Sequence, residues 1–182
     1  MWPAYRGRVP GTRSQDLKPW LRAVFALPNA LYANGFGWVL GHRFLQLTHT
    51  GRRSGRRFSV VVEVVRYDRS TGEATVVSGY GGSADWFRNL REGGPAAVDF
   101  GRGPRPAAYR VLGVEEAEQV YAAYERRNLI IAPLVRWTLT VLLGWPYDGS
   151  AEARRRMVAE LPMVVLRPAG GGPAQSSGPP AT

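Results

Sequence analysis

The stretch Phe44–Asp68, FLQLTHTGRRSGRRFSVVVEVVRYD, decides the fold. FLQLTHT alternates apolar and polar residues with the period of a half-buried strand, and FSVVVEVVRYD is a second, β-branched strand. Between them TGRRSGRR supplies two glycines and four arginines, so the pair reads as a hairpin with a charged tip. Downstream, DRSTG (Asp68–Gly72) makes the next turn and EATVVSG a third strand. The loop GYGG then leads into a short helix, SADWFRNLRE, with Ser83 as its expected N-cap. Ala96–Phe100 and Ala107–Leu112 read as strands joined through GRGPRP. VEEAEQVYAAYERRN has helical spacing, and Met163–Leu166 reads as a last strand. Strands separated by turns, with helices pushed to the ends, predict an α+β fold: a β-barrel of about six mostly antiparallel strands with flanking helices.

The flanks extend this to one domain over residues 1–167. In Leu17–Trp38, Trp20, Val24, Leu27 and Leu31 recur at spacings of four, three and four, which predicts an amphipathic helix interrupted near Pro28. From residue 168 to 182, PAGGGPAQSSGPPAT offers nothing to anchor a core and is expected to be a disordered tail. Leu129–Trp145 is apolar enough to raise the membrane question, but Arg136 near its centre and Pro133 speak against a span. The segment is expected to pack on the barrel or to lie in a membrane interface. The opening MWPAYRGRVPGTRSQD lacks an export-signal pattern, so a cytoplasmic location is expected, with peripheral contact at the inner face of the cell membrane left open.

With 24 basic against 14 acidic residues and a net charge of +10, the chain is built for an anionic partner. Lys18 is the one lysine, so the positive charge is guanidinium, the group suited to bidentate phosphate and carboxylate contacts. No cysteine is present, which excludes disulfides, thiolate metal sites and a cysteine nucleophile. The two histidines, His42 and His49, are too few for a His-rich metal centre, and no metal is expected.

Two constellations carry the chemistry. At the hairpin tip, Arg52, Arg53, Ser54 and Arg57 combine side-chain donors with a glycine turn whose amides can face an anion. In the second, SGYGGSADWFRN, glycines allow a planar ring close to the backbone, and Trp86 and Asn89 share a helix face. No Ser or His stands in the setting of a nucleophile, and His49 beside the arginines reads as structural rather than as a general base. That absence fits hydride transfer, in which a cofactor supplies the reaction and the protein supplies orientation.

The ordered set TGRRSG, SG and WFxNL, with the late strand LPMVVLRP, resembles the deazaflavin (F420)-dependent nitroreductase and quinone reductase family over about Phe44–Leu166. The resemblance implies a split β-barrel of the flavin-binding kind and coenzyme F420. It implies that Arg52, Arg53, Ser54 and Arg57 hold the phosphate and glutamate tail, and that Phe58, Ser59 and Val60 pass beneath the cofactor. Val77, Ser78 and Gly79 would line the deazaflavin, and Asp85, Trp86 and Asn89 would close the site. Tyr80 and Tyr124 are assigned to the substrate pocket. The family's proline before the matching arginine is absent, and so are the lysine and proline before the tryptophan.

The resulting expectation is an oxidoreductase that passes a hydride from reduced F420 to a small-molecule electron acceptor: a quinone, a nitroaromatic or an enone. FMN is the alternative cofactor, because the arginine tip suits its phosphate as well. A non-catalytic basic protein on an anionic membrane is the alternative from another class. Nucleic acid is not expected, because aromatics do not interleave with the arginines. The oligomeric state is left open.

Overall fold

The computed structural model describes residues 42–169. Its six strands are β1 (Phe44–Thr50), β2 (Arg57–Tyr67), β3 (Ala74–Val77), β4 (Ala96–Asp99), β5 (Arg105–Val111) and β6 (Met163–Pro168). They close into a barrel in the order β1-β2-β3-β6-β5-β4, every neighbouring pair antiparallel. The described helices are α1 (Asp85–Arg91), α2 (Val114–Arg127), α3 (Ala132–Leu143) and α4 (Ala151–Glu160). This is the α+β barrel with flanking helices expected from the sequence.

Period-two alternation sets the interior. Leu45 and Leu47 of β1, Val62 and Val64 of β2, Ala74 and Val76 of β3, and Val98 of β4 point inward, joined by Val164 and Leu166 of β6. A one-residue slip would turn each of these sets to the other face, so the pattern fixes the register. On β3 and β6 the outward residues are buried as well, because α2 and α4 cover them: Met163 and Val165 belong to a second cluster with Val120, Tyr121, Met157 and Val158.

Both mouths of the barrel are closed. At one, α1 sends Trp86, Phe87 and Leu90 into the interior cluster, and the Tyr109 hydroxyl lies 2.8 Å from the Leu90 carbonyl oxygen and 3.0 Å from that of Gly94. At the other, His42 stacks on Tyr67 with centroids 3.9 Å apart, and Phe100 packs edge-on against Tyr67 at 5.4 Å. The helices outside are tied together by charge. Arg154 of α4 donates to Glu118 (2.7 Å) and Glu125 (3.1 Å) of α2, and the Tyr147 hydroxyl donates to the same Glu125 (3.1 Å).

Some local expectations change. Ser83 is not the cap of α1: Ala84 holds that position, and the Ser83 hydroxyl donates to the Tyr80 carbonyl (2.7 Å) inside a 3₁₀ turn over Gly81–Ser83. Asp85 in the first turn provides the favourable charge instead. The segment Leu129–Trp145 forms a 3₁₀ turn, Leu129–Ile131, followed by α3, whose Leu139 and Leu143 pack into the helix-side cluster. Pro133 lies in the first turn of α3, where its missing donor costs nothing, and Gly144 ends the helix in the left-handed conformation at φ 77°. No helix of the described residues is long and apolar enough to cross a membrane. Helix α4 was not among the expectations. Pro168, counted with the tail, closes β6 opposite Ala107. Ala169, also counted with the tail, donates its amide to the Pro106 carbonyl (2.7 Å) and accepts from Arg105 Nη2 (2.7 Å). The expected helix over 17–38 and residues 170–182 of the expected tail lie outside the described residues.

Candidate functional site

The antiparallel register places Thr50 opposite Arg57, so Gly51–Arg56 forms the tip between β1 and β2. Two backbone bonds shape it: the Gly51 amide donates to the Arg56 carbonyl (2.8 Å) and the Gly55 amide to the Gly51 carbonyl (2.8 Å). Gly55 adopts φ 63°, which a side chain would strain, and a Cβ on Gly51 would come within 2.7 Å of the Phe58 ring. The Ser54 hydroxyl accepts from the Arg56 amide (3.3 Å), which orients the far side of the turn.

Helix α1 lies at this same end of the barrel, and the two constellations expected from the sequence meet through Asn89. The Asn89 side-chain oxygen accepts from the Arg52 backbone amide (3.1 Å) and from Arg52 Nη1 (2.9 Å). An arginine has only donors to offer, so this oxygen faces Arg52 and the amide nitrogen faces the other way. That nitrogen lies 2.9 Å from His49 Nδ1. His49 therefore accepts at Nδ1 and carries its proton on Nε2, a tautomer assigned from the network. His49 is 5% exposed, and burial lowers its pKa to about 4 even though Asp85 pulls the other way. The histidine is neutral at physiological pH and completes a chain of donors running from Arg52 through Asn89 to the barrel wall.

Arg52 is thus held in place, with Asp85 adding an ionic contact at 3.4 Å across a mostly solvent-exposed carboxylate. Such an exposed pair contributes little by itself. The remaining arginines of the tip differ. Among the described residues, the Arg53, Arg56 and Arg57 side chains have no ionic or hydrogen-bonding partner, and all three residues are exposed. Three guanidiniums without such a partner crowd one short turn, with the fixed Arg52 beside them, a concentration of positive charge that favours an anion.

The other expected site residues divide by face. Phe58 and Val60 face inward, Phe58 stacked on His49 with centroids 5.9 Å apart and Val60 packed on the interior cluster. Ser59 faces outward, its hydroxyl 3.0 Å from that of Thr48. Trp86 and Asn89 are 7% and 4% exposed, so they serve the barrel mouth and the tip rather than border an open ring site. Ser78 is fully buried, its hydroxyl donating to the Gly81 carbonyl (2.7 Å), and Val77 packs on the helix-side cluster. The open positions of that loop are Gly79, where a Cβ would meet nothing within 4 Å, and Tyr80, 53% exposed.

Tyr124 of α2 stands elsewhere along β2. Its hydroxyl donates to Glu63 (2.9 Å), and burial and the Glu63 charge raise its pKa, so it stays protonated. Glu63 also faces Arg43 at 3.9 Å. Arg57, Ser59, Val61 and Glu63 are alternate residues and share the outer face of β2. At the rise of a strand that row runs roughly 20 Å from the tip to Tyr124. What the sequence reading missed is the Asn89 hub, whose partners are 37 and 40 residues away along the chain.

No family model and no curated protein matches the chain. Several solved structures are similar to it in fold. An F420-H2 dependent reductase is 20% identical, with 69% of this chain and 94% of that chain covered and a TM-score of 0.43. A protein related to general stress protein 26, of the pyridoxinephosphate oxidase family from Clostridium acetobutylicum, is 8% identical over 76% of this chain and 84% of that one, with a TM-score of 0.43. A pyridoxamine 5'-phosphate oxidase-related, FMN binding protein from Nostoc punctiforme is 14% identical over 84% and 82%, with a TM-score of 0.37. These are likenesses of barrel architecture, and the chemistry of the site rests on its own residues: a cationic tip held in register with the barrel mouth by Asn89.

Proposed function

We propose that this chain is an F420-dependent oxidoreductase that passes a hydride from the reduced deazaflavin to an electron-poor acceptor such as a quinone, a nitroaromatic or an enone. The observation that carries the reading is the set of uncompensated guanidiniums, Arg53, Arg56 and Arg57, beside the immobilised Arg52. A tail bearing phosphate and carboxylates fits such a cradle, and each charge-assisted hydrogen bond formed there contributes roughly 1.5–3 kcal/mol. When bound, the deazaflavin supplies the hydride, so the chain needs no nucleophile of its own.

The chain's residues then have distinct tasks. Arg53 and Arg57 hold the anionic end, with Ser54 shaping the turn between them. Asn89 fixes the direction of Arg52, so the cradle is organised before the ligand arrives and less ordering is required on binding. Gly79 leaves open space against which a flat ring can lie, with Tyr80 beside it. Tyr124, at the far end of the outer row, has its one hydroxyl proton committed to Glu63 and would orient an acceptor only on exchanging that partner.

Titration of the purified protein with F420 and, separately, with FMN, followed by the fluorescence of each, tests the reading. Tight binding of F420 with weak FMN binding supports it. The double variant Arg53→Ala/Arg57→Ala should then weaken F420 by roughly tenfold or more with an unchanged melting temperature. Tight FMN binding instead would transfer the same cradle to a flavin phosphate, and no binding of either at micromolar concentration would remove the enzyme reading.

A further inference from the structure

Helix α3 has two unlike sides. Leu139 and Leu143 are buried in the helix-side cluster. Leu134 and Val141, seven residues apart and on the side turned away from them, are 56% and 45% exposed. The 3₁₀ turn that leads into the helix is more open still, with Leu129 68% and Ile130 98% exposed. Apolar side chains grouped in this way mark an interaction surface.

The charge around this surface selects its partner. From residue 126 to residue 147 the sequence holds no acidic residue. The one charge inside α3, Arg136, is turned back onto Gly149, so the apolar side is uninterrupted. Just before the 3₁₀ turn stand Arg126 and Arg127, the last two residues of α2. Arg127 donates to the Val65 carbonyl (2.9 Å) and lines one groove together with Arg66. All three arginines are exposed, and among the described residues the Arg66 and Arg126 side chains have no ionic or hydrogen-bonding partner. The neighbouring carboxylates are committed: Glu63 to Tyr124, Glu116 to Arg110, Glu118 and Glu125 to Arg154. An apolar edge with a basic collar suits an anionic leaflet, whose headgroups meet the guanidiniums while its acyl chains take the apolar groups. A second copy of this chain would instead bring its own net charge of +10 against the collar. We propose that Leu129, Ile130, Leu134 and Val141 enter the headgroup boundary of a bilayer containing anionic phospholipid, with α3 lying in the membrane plane and Arg66, Arg126 and Arg127 on the headgroups. At twelve residues α3 is about 18 Å long, too short to cross and suited to lying flat. The surface is separate from the arginine tip, because Arg57 and Arg66 stand roughly 30 Å apart along β2.

Co-sedimentation of the full chain with phosphatidylcholine vesicles, with and without phosphatidylserine, tests this. Binding should be much tighter with phosphatidylserine and should weaken as sodium chloride is added. Ile130→Ser/Leu134→Ser keeps every charge and should weaken partitioning by roughly tenfold or more. Arg66→Ala/Arg126→Ala should weaken it by a similar factor of about ten, and by more than Arg53→Ala/Arg57→Ala does. No binding to either vesicle, undiminished binding of the serine variant, or an equal loss from the tip pair overturns the proposal. Because the chain has no native cysteine, Ile130→Cys labelled with acrylodan reports the contact directly. Its emission should shift to the blue when phosphatidylserine vesicles are added. Emission already blue in dilute protein would show that another part of the chain covers the position. A shift that follows protein concentration without lipid would assign the surface to a second copy. Either of those results, or no shift at all, overturns the proposal.

Discussion

Asn89 accepts from Arg52 on one side and donates to His49 on the other, and each partner is a group that must have it. Replacement by leucine keeps the volume but orphans the Arg52 amide and the buried His49 nitrogen. Asn89→Leu should cost about 2 kcal/mol or more, read from the urea midpoint, because a buried polar group left without a partner loses its desolvation cost outright. His49 makes the same network sensitive to acid. Its native pKa, lowered by burial to about 4, lies below the 6.5 of an unfolded histidine. Between those values the unfolded chain takes up a proton that the native state refuses, so the contribution is complete above pH 6.5 and is lost as pH falls toward 4. Between pH 7 and pH 5 the loss from this group should be about 2 kcal/mol. His49→Gln, which retains an acceptor but cannot be protonated there, should lower the difference between urea midpoints at the two pH values by that amount. An undiminished difference would show that His49 is not its source. Residue identity alone conveyed only part of this. The arginines announce themselves in sequence, but nothing in DWFRNL says that its asparagine turns inward, because the groups that need it come from a different hairpin.

At the scale of elements, two glycines give a controlled comparison. Gly81 and Gly144 both sit at positive φ, 62° and 77°, so alanine strains the backbone similarly at each. They differ in surroundings. A Cβ at Gly81 would stand 2.6 Å from the Glu160 carbonyl oxygen at the end of α4, whereas one at Gly144 would meet nothing within 4 Å. Gly144→Ala should therefore cost about 1 kcal/mol, and Gly81→Ala clearly more, since backbone must move to admit it. Equal losses in thermal or urea unfolding would contradict the close packing of the 3₁₀ turn on α4. The strands were legible because β-branched alternation between glycine-bearing turns is a local signal, and β1 and β2 emerged with the expected boundaries within one residue. Helix α4 was not, because only Met157 and Val158 are buried in a ten-residue stretch of mostly charged and small residues. Its one local sign is Ser150, whose hydroxyl accepts from the Ala153 amide (3.1 Å) as an N-cap.

Across the whole molecule, charge acts before contact. With a net charge of +10 and three guanidiniums that have no partner among the described residues at one end, the protein should attract a polyanionic ligand such as the proposed cofactor over distances comparable to the Debye length. Stopped-flow measurements with F420 should show association slowing steeply with added sodium chloride while dissociation changes less. The Arg53→Ala/Arg57→Ala variant should flatten that salt dependence, and a dependence as steep as the parent's would place the attraction elsewhere on the surface. The general charge was readable from composition. That it is uncompensated at the tip was not, because Arg52 and Arg53 are neighbours in sequence and only the fold commits one to Asn89 and leaves the other to solvent.

The two plugged mouths of the barrel carry a consequence for how such a chain can change over time. With α1 filling one opening and the His42, Tyr67 and Phe100 rings the other, the inward positions are committed to one another, and a new side chain there must be accommodated by its neighbours. The half-buried outward positions near the tip of β1 and β2 carry less of this debt. Thr48, Ser59 and Val61 can be exchanged with little repacking, so the scaffold can drift toward a different ligand through its exterior lettering while the interior text stays fixed.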